Sequence, residues 1–220
     1  MILYAAAPMI PPRRLHVATF ALIFALALAA RAEPADAVGV IDRFHATLLG
    51  VMKDAKALGF EGRLERLTPA MDQTWDFATM SQRSLGPAWG KLDVEQRERF
   101  AKVFRGMILR TYATRFDGYT SERFETSGSE SSIAGTQIVR SVLHAPNEDV
   151  HLDYRMRQTS EGWRVIDVYL GGTVSELAMK RAEYTSVLER DGFDALVSAL
   201  ERKIADASGD VPASSDSLDK

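Results

Sequence analysis

The apolar residues change period at Gly118, and that switch limits the folds open to this chain. Before it they recur every three or four positions; after it they alternate. Side chains repeat every 3.6 residues around a helix and every two along a strand, so helices come first and strands second. Residues 149–157, DVHLDYRMR, alternate without a break. Val150, Leu152, Tyr154 and Met156 fall on one face; His151, Asp153, Arg155 and Arg157 fall on the other. Such a pattern predicts a strand half buried against a core, its polar face in water. Residues 136–144 form another strand, and 121–126 and 131–134 form two weaker ones. A turn at Ser160-Glu161-Gly162 leads into WRVIDVYL, which is apolar on both faces and is expected in the centre of the sheet.

Upstream, Ile41, Phe44, Leu48, Val51, Met52, Ala55 and Leu58 mark an amphipathic helix over 38–59, stopped by Gly59. Thr68 and Pro69 are suited to cap and open a short helix, and Asp76 to cap another that ends at Gly86-Pro87. Asp93 and Gln96 form a capping box. Behind it Phe100, Val103, Phe104, Met107, Ile108, Thr111, Tyr112 and Phe116 make one apolar stripe. After the strands come two more helices, one over 174–190 and one carrying Phe193, Leu196, Val197, Leu200 and Ile204. Helices, then antiparallel strands, then helices predict an α+β domain, a curved antiparallel sheet with helices on one face.

The start of the chain reads as a targeting signal. Arg13 and Arg14 precede an apolar run over 17–30, and Ala30-Arg31-Ala32 is a small-x-small cleavage pattern. The run is short of the ~20 residues a membrane span needs. Residues 1–32 are therefore expected to be removed, 33–205 to form one domain, and the small, polar stretch 206–220 to be a disordered tail. Losing Arg13, Arg14 and Arg31 and no acid takes the net charge from −3 to −6. A domain this acidic is a poor partner for nucleic acid. The chain has no Cys, so an exported form has neither disulfides nor a thiol nucleophile.

Gly171-Gly172 between a strand and a helix invites a phosphate-loop reading. The stretch GGTVSEL lacks the third glycine of a dinucleotide loop and the lysine of a P-loop. Thr173 and Glu176 read instead as a capping box after a tight corner. His144 and His151 become cross-strand neighbours if Asn147-Glu148 is a two-residue turn, with Asp149 and Asp153 beside them, so a metal site is conceivable against the plainer reading of a solvated face. Asp167, between apolar neighbours, is either a buried structural acceptor or an acid of raised pKa. No nucleophile, base and orienter converge.

Two stretches carry a family resemblance. Trp163, Val165, Asp167, Val168, Gly172, Ser175, Arg181, Tyr184 and Gly192 resemble the C-terminal signature of the toluene-tolerance (Ttg2D/MlaC) family of periplasmic lipid-binding proteins. Asp76-Phe77, Leu85-Gly86, Trp89, Gln96, Phe100, Phe104 and Thr111-Tyr112-Ala113 resemble its helical half. At the corner, Gly-Gly-Thr-Val-Ser replaces the usual Glu-Gly-Val-Ser and is more similar to HpnM, the hopanoid-associated branch. The resemblance implies an MlaC-like cone of the NTF2/cystatin kind, with no cofactor. It implies a periplasmic carrier of a phospholipid or hopanoid that works between an inner-membrane transporter and an outer-membrane receptor complex.

Such a carrier must hide hydrocarbon. At ~0.8 kcal/mol per CH₂, one ~16-carbon chain exposed to water costs ~12 kcal/mol. The expected container is an apolar cavity near or above the upper end of the ~300–1,000 Å³ range of ligand pockets. Candidate lipid-binding residues are Phe104, Met107, Ile108 and Tyr112 on the long helix, Val150, Leu152, Tyr154 and Met156 on the alternating strand, and Val165 and Leu177. The same residues also suit a filled core. An adaptor without ligand and a lipid-modifying enzyme on a similar fold are the alternatives.

Overall fold

The computed structural model describes residues 36–208. The expected signal at 1–32 lies outside the described residues, as does the stretch from 209 onward. Asp36 opens α1 (Ala37–Lys53) by accepting a hydrogen bond from the Gly39 amide at 2.7 Å. Its buried stripe is Ile41, Phe44, Leu48, Val51 and Met52, joined by His45. At Asp54 α1 gives way to α2 (Ala55–Thr74), but Asp54 keeps near-helical angles, φ −94° and ψ 4°, and the Leu58 amide donates to its carbonyl at 3.0 Å. Gly59 then interrupts α2 at φ 60° and ψ −174°, a conformation that glycine tolerates. Thr68 and Pro69 lie inside α2 and do not start a helix. The Thr68 hydroxyl donates back to the Leu64 carbonyl at 2.7 Å, the bond a mid-helix threonine makes.

Asp76 caps α3 (Phe77–Leu85), accepting from the Thr79 amide at 2.9 Å. A 3-10 segment (Gly86–Lys91) leads to α4 (Val94–Arg115), which begins with the reciprocal Asp93–Gln96 capping box. Phe100, Val103, Phe104, Met107, Ile108, Leu109 and Ala113 of α4 are buried.

The sheet is a five-stranded antiparallel meander of β1 (Arg123–Ser131), β2 (Gln137–His144), β3 (Asp149–Thr159), β4 (Gly162–Leu170) and β5 (Val174–Ser175). β1 is one strand where two weak ones are expected. A register shift between Thr126 and Gly128 lets it stay paired with β2 across the polar segment, and 133–135 is a 3-10 turn. β4 is not central. It lies between β3 and the two-residue β5, and is buried at Val165, Ile166, Asp167 and Val168 because α2, α3 and α5 pack on it. The α2–α3 junction covers the rest of its edge: Trp75 bridges Val165, and the Asp76 amide donates to the Val165 carbonyl at 2.9 Å. A covered edge cannot template association.

A bulge in β4 changes which side chains face the helices. Met156 pairs with Val165 and Tyr154 with Val168, so Ile166 is the extra residue. Val165 and Val168 thus share the inner face, and Asp167 turns to the other side opposite Arg155. That outer face is not wholly solvated. Asp153 is only 3% exposed, held by Arg140 Nη1 at 2.5 Å and the Ser141 amide at 3.2 Å.

α5 (Glu176–Asp191) and α6 (Phe193–Ser208) complete the fold. The cap of α5 is Ser175, not Thr173, since Ser175 Oγ accepts from the Ala178 amide at 2.9 Å. α6 runs past Asp206 to Ser208, so the first residues assigned to the tail are helical. Asp167 accepts three hydrogen bonds, from the Val168 amide (2.9 Å), the Leu177 amide (3.2 Å) and the Ser175 hydroxyl (2.7 Å). Removing a buried acceptor orphans its donors. Asp167→Ala is expected to cost roughly 2–4 kcal/mol in urea unfolding, against about 1 kcal/mol for the cap variant Ser175→Ala. Equal losses would show that the Leu177 and Val168 bonds contribute nothing.

Candidate functional site

Between the inner face of the sheet, the C-terminal half of α4 and the start of α5, the interior leaves a cavity of about 250 Å³. Leu143, Val150, Leu152, Tyr154, Val168 and Leu170 form its sheet wall. Ile108, Thr111, Tyr112, Arg115 and Phe116 form the α4 wall, and Glu176, Leu177 and Lys180 the α5 wall. Trp75 and Met80 close the remaining side. Aromatic contacts stiffen it: Trp75 meets Tyr112 edge-on at 5.5 Å, and Tyr112 stacks on Phe116 at 5.5 Å. This volume lies below the ~300–1,000 Å³ of ordinary ligand pockets, and so well below the size expected for a lipid container.

Beside the cavity, between β3 and α1, is a buried polar pair. Tyr154 Oη lies 3.1 Å from His45 Nε2, and the imidazole stacks on Phe124 at 4.1 Å. His45 is 3% exposed and its Nδ1 has no partner. Burial lowers its pKa to about 4, against the opposing attraction of Asp42, so the ring is neutral. Burial also pushes the Tyr112 and Tyr154 phenols up, so both remain protonated donors. Thr111 Oγ1 is occupied with the Met107 carbonyl at 2.9 Å. Arg115, Glu176 and Lys180 are the charged members of the wall.

Six of the ten candidate residues line this cavity: Ile108, Tyr112, Val150, Leu152, Tyr154 and Leu177. Phe104, Met107, Met156 and Val165 do not. Phe104 packs on Phe100, whose ring meets Tyr184 of α5 at 5.9 Å, so that part of the α4 stripe is filled core. Met156 and Val165 pair across β3 and β4 and are fully enclosed. Of the wall residues missing from the candidates, Leu143 opposes Val150 in the hairpin and Phe116 stands one helical turn after Tyr112, so register and period could have found both. Trp75, Met80 and the three charged residues carry no such signal.

The other candidate chemistry resolves into structural contacts. The β2–β3 turn spans Ala145 to Glu148, with the Ala145 amide donating to the Glu148 carbonyl at 3.2 Å. His144 therefore opposes Asp149, Nδ1 to Oδ1 at 2.8 Å, and its Nε2 faces Glu125 at 3.2 Å; His151 opposes Val142. Among the described residues no group of three or more His, Asp or Glu is placed to hold a metal. Gly171 and Gly172 both have positive φ, at 59° and 73°, as a sharp corner requires. A larger groove of about 1060 Å³ runs between α3 and α5, but it is open and carries Arg83, Arg181, Glu189 and Arg190, so it cannot shield hydrocarbon. No helix among the described residues is long and apolar enough to cross a membrane.

Helices laid over one face of an antiparallel sheet, around an apolar cavity, define an α+β fold of the cavity-bearing kind. The solved phospholipid-binding protein of Ralstonia solanacearum, in complex with a phospholipid, has this fold: the TM-score is 0.71 over 80% of this chain and 100% of that one, at 22% identity. The MlaC protein family model matches residues 42–202, and the chain belongs to the MlaC family. It is also similar to the intermembrane phospholipid transport system binding protein MlaC of Haemophilus influenzae, 23% identical over 124 residues. That match covers 54% of this chain and spans little more than half, 57%, of the relative.

The neutral His45 generates a pH prediction. Its pKa is lower folded than unfolded, 6.5 falling to about 4, so the unfolded chain binds the additional proton in that window. The contribution is fully present above pH 6.5 and is lost as pH falls towards 4. The shift corresponds to about 3 kcal/mol. Unfolding measured at both ends of the window is expected to show wild type losing about that much more than His45→Gln. An equal loss would assign the acid sensitivity to carboxylates alone.

Proposed function

We propose that this protein is a periplasmic lipid carrier, exported by its N-terminal signal, which holds the hydrocarbon of a membrane lipid in the cavity between sheet, α4 and α5. It performs no covalent chemistry and shuttles cargo between an inner-membrane transporter and an outer-membrane receptor complex. The observation that carries this reading is the partly open, largely apolar cavity in a chain of the MlaC family. The relatives support it: one is described as binding phospholipid and the other as part of a phospholipid transport system.

At about 250 Å³ the cavity must widen to take an acyl chain. Relative to water, each CH₂ buried gains ~0.8 kcal/mol, which offsets the cost of that opening. Phe116 and Leu170 are partly exposed wall residues, suited to yield without breaking the close-packed core around Phe104 and Met156.

The cargo is a phospholipid or a hopanoid, the latter suggested by the Gly171-Gly172-Thr173 corner. Native mass spectrometry of the chain from its own host, with lipid identification after denaturation, is expected to show one bound lipid and to name it. Val150→Trp, which fills the cavity from its sheet wall, is expected to lower occupancy several-fold in a folded protein. A ligand-free mass that persists after incubation with host lipid would favour a ligand-free adaptor subunit. Turnover of the bound lipid would favour an enzyme.

A further inference from the structure

We propose that Lys180 and Arg115 take the phosphate of the cargo at the cavity rim, so that the site is built for a phosphodiester lipid and not for an uncharged polycyclic one. This assignment deepens the carrier reading and rests on it. The wall is otherwise dominated by aliphatic and aromatic side chains, yet Arg115, Glu176 and Lys180 all border it. None of the three makes a side-chain hydrogen bond or ion pair with a described residue. Two other charge pairs at the surface are closed, Arg105–Asp72 at 2.6 Å and Arg157–Asp76 at 2.5 Å.

Arg115 alone has an ordinary explanation, since it stands in the last turn of α4, where the helix end attracts a cation. Lys180 has none. It lies within α5, is only partly exposed, and borders hydrocarbon side chains. Glu176 stands one turn earlier on the same face, the spacing at which a glutamate and a lysine can pair, but the contact is not closed. Burial pulls the Lys180 ammonium below the usual lysine range, Glu176 and Glu183 oppose that, and Arg115 and Lys203 add to it. A cation that gives up water without a counter-ion is destabilised, and an anion brought by a ligand removes that cost.

The three groups sum to one positive charge, the complement of a phosphodiester. The Tyr112 hydroxyl, which borders the same cavity and has no hydrogen-bond partner among the described residues, is a free donor for an ester carbonyl. Glu176 leaves an acceptor for a headgroup amine.

The test titrates the delipidated full chain with phosphatidylglycerol and with diacylglycerol of identical acyl chains, for wild type and for the double variant Lys180→Gln, Arg115→Gln. Wild type is expected to prefer the phosphatidyl lipid by about tenfold or more, the size of one charge-assisted hydrogen bond. In the double variant, verified as folded by its thermal transition, the preference is expected to shrink to under about threefold. If the variant does not fold, raising salt on wild type must erode the preference instead, because rim charges are screened. Equal wild-type affinity for the two lipids, or an unchanged preference in the folded variant or at high salt, overturns the assignment while leaving the carrier reading intact. Failure of wild type to bind either lipid overturns both.

Discussion

The buried carboxylate of Asp167 is the joint on which the cavity depends. It ties the end of β4 to the beginning of α5 through the Ser175 hydroxyl and the Leu177 amide. Ser175 in turn caps the helix through the Ala178 amide. Leu177 and Lys180, which form one wall of the cavity, are therefore placed by a hydrogen-bonded corner rather than by the helix's own apolar stripe. The bulge at Ile166 makes this possible, since it turns Asp167 away from the helices while keeping Val165 and Val168 facing them. Without that extra residue, Asp167 and Val168 would exchange faces.

Around this joint the molecule divides its apolar material between core and cavity. Phe100, Phe104, Met156 and Val165 are filled interior, each fully buried. The aromatic group of Trp75, Tyr112 and Phe116 stands beside the space that is left. Large rings with few rotamers can hold a wall open where flexible chains would fall inward. The polar groups in that wall are kept few and are of two kinds. Tyr154 is bonded to the neutral His45, which keeps the sheet side uncharged, whereas Arg115, Glu176 and Lys180 make no side-chain hydrogen bond or ion pair with another described residue. An uncharged face suits a hydrocarbon and a charged rim suits a headgroup.

Local signals were legible wherever they did not compete with tertiary contacts. The alternation of β3 and the Asp93–Gln96 box appear in the structure where sequence places them. Gly59 takes non-helical angles where the sequence places the stop, whereas Asp54, between α1 and α2, stays near helical. At the α5 corner the sequence places the cap at Thr173, but pairing of Val174 and Ser175 with β4 carries the strand further and makes Ser175 the cap. On β3, parity puts Asp153 in water, but a strand pattern cannot show that Arg140 and the Ser141 amide enclose it.

The amino-acid sequence by itself determined the class of fold, the helix-then-strand order, the glycine corner and the membership implied by the two MlaC-like stretches, because periodicity, capping and backbone permissiveness act over a few residues. Tertiary structure alone decided which apolar residues surround space and which fill it. Phe104 and Ile108 sit one turn apart in the same stripe, yet only Ile108 reaches the cavity. It also brought Arg115 and Lys180, distant in sequence, to one rim. Both outcomes depend on how whole elements approach one another, and no local pattern of polarity encodes a distance between two surfaces.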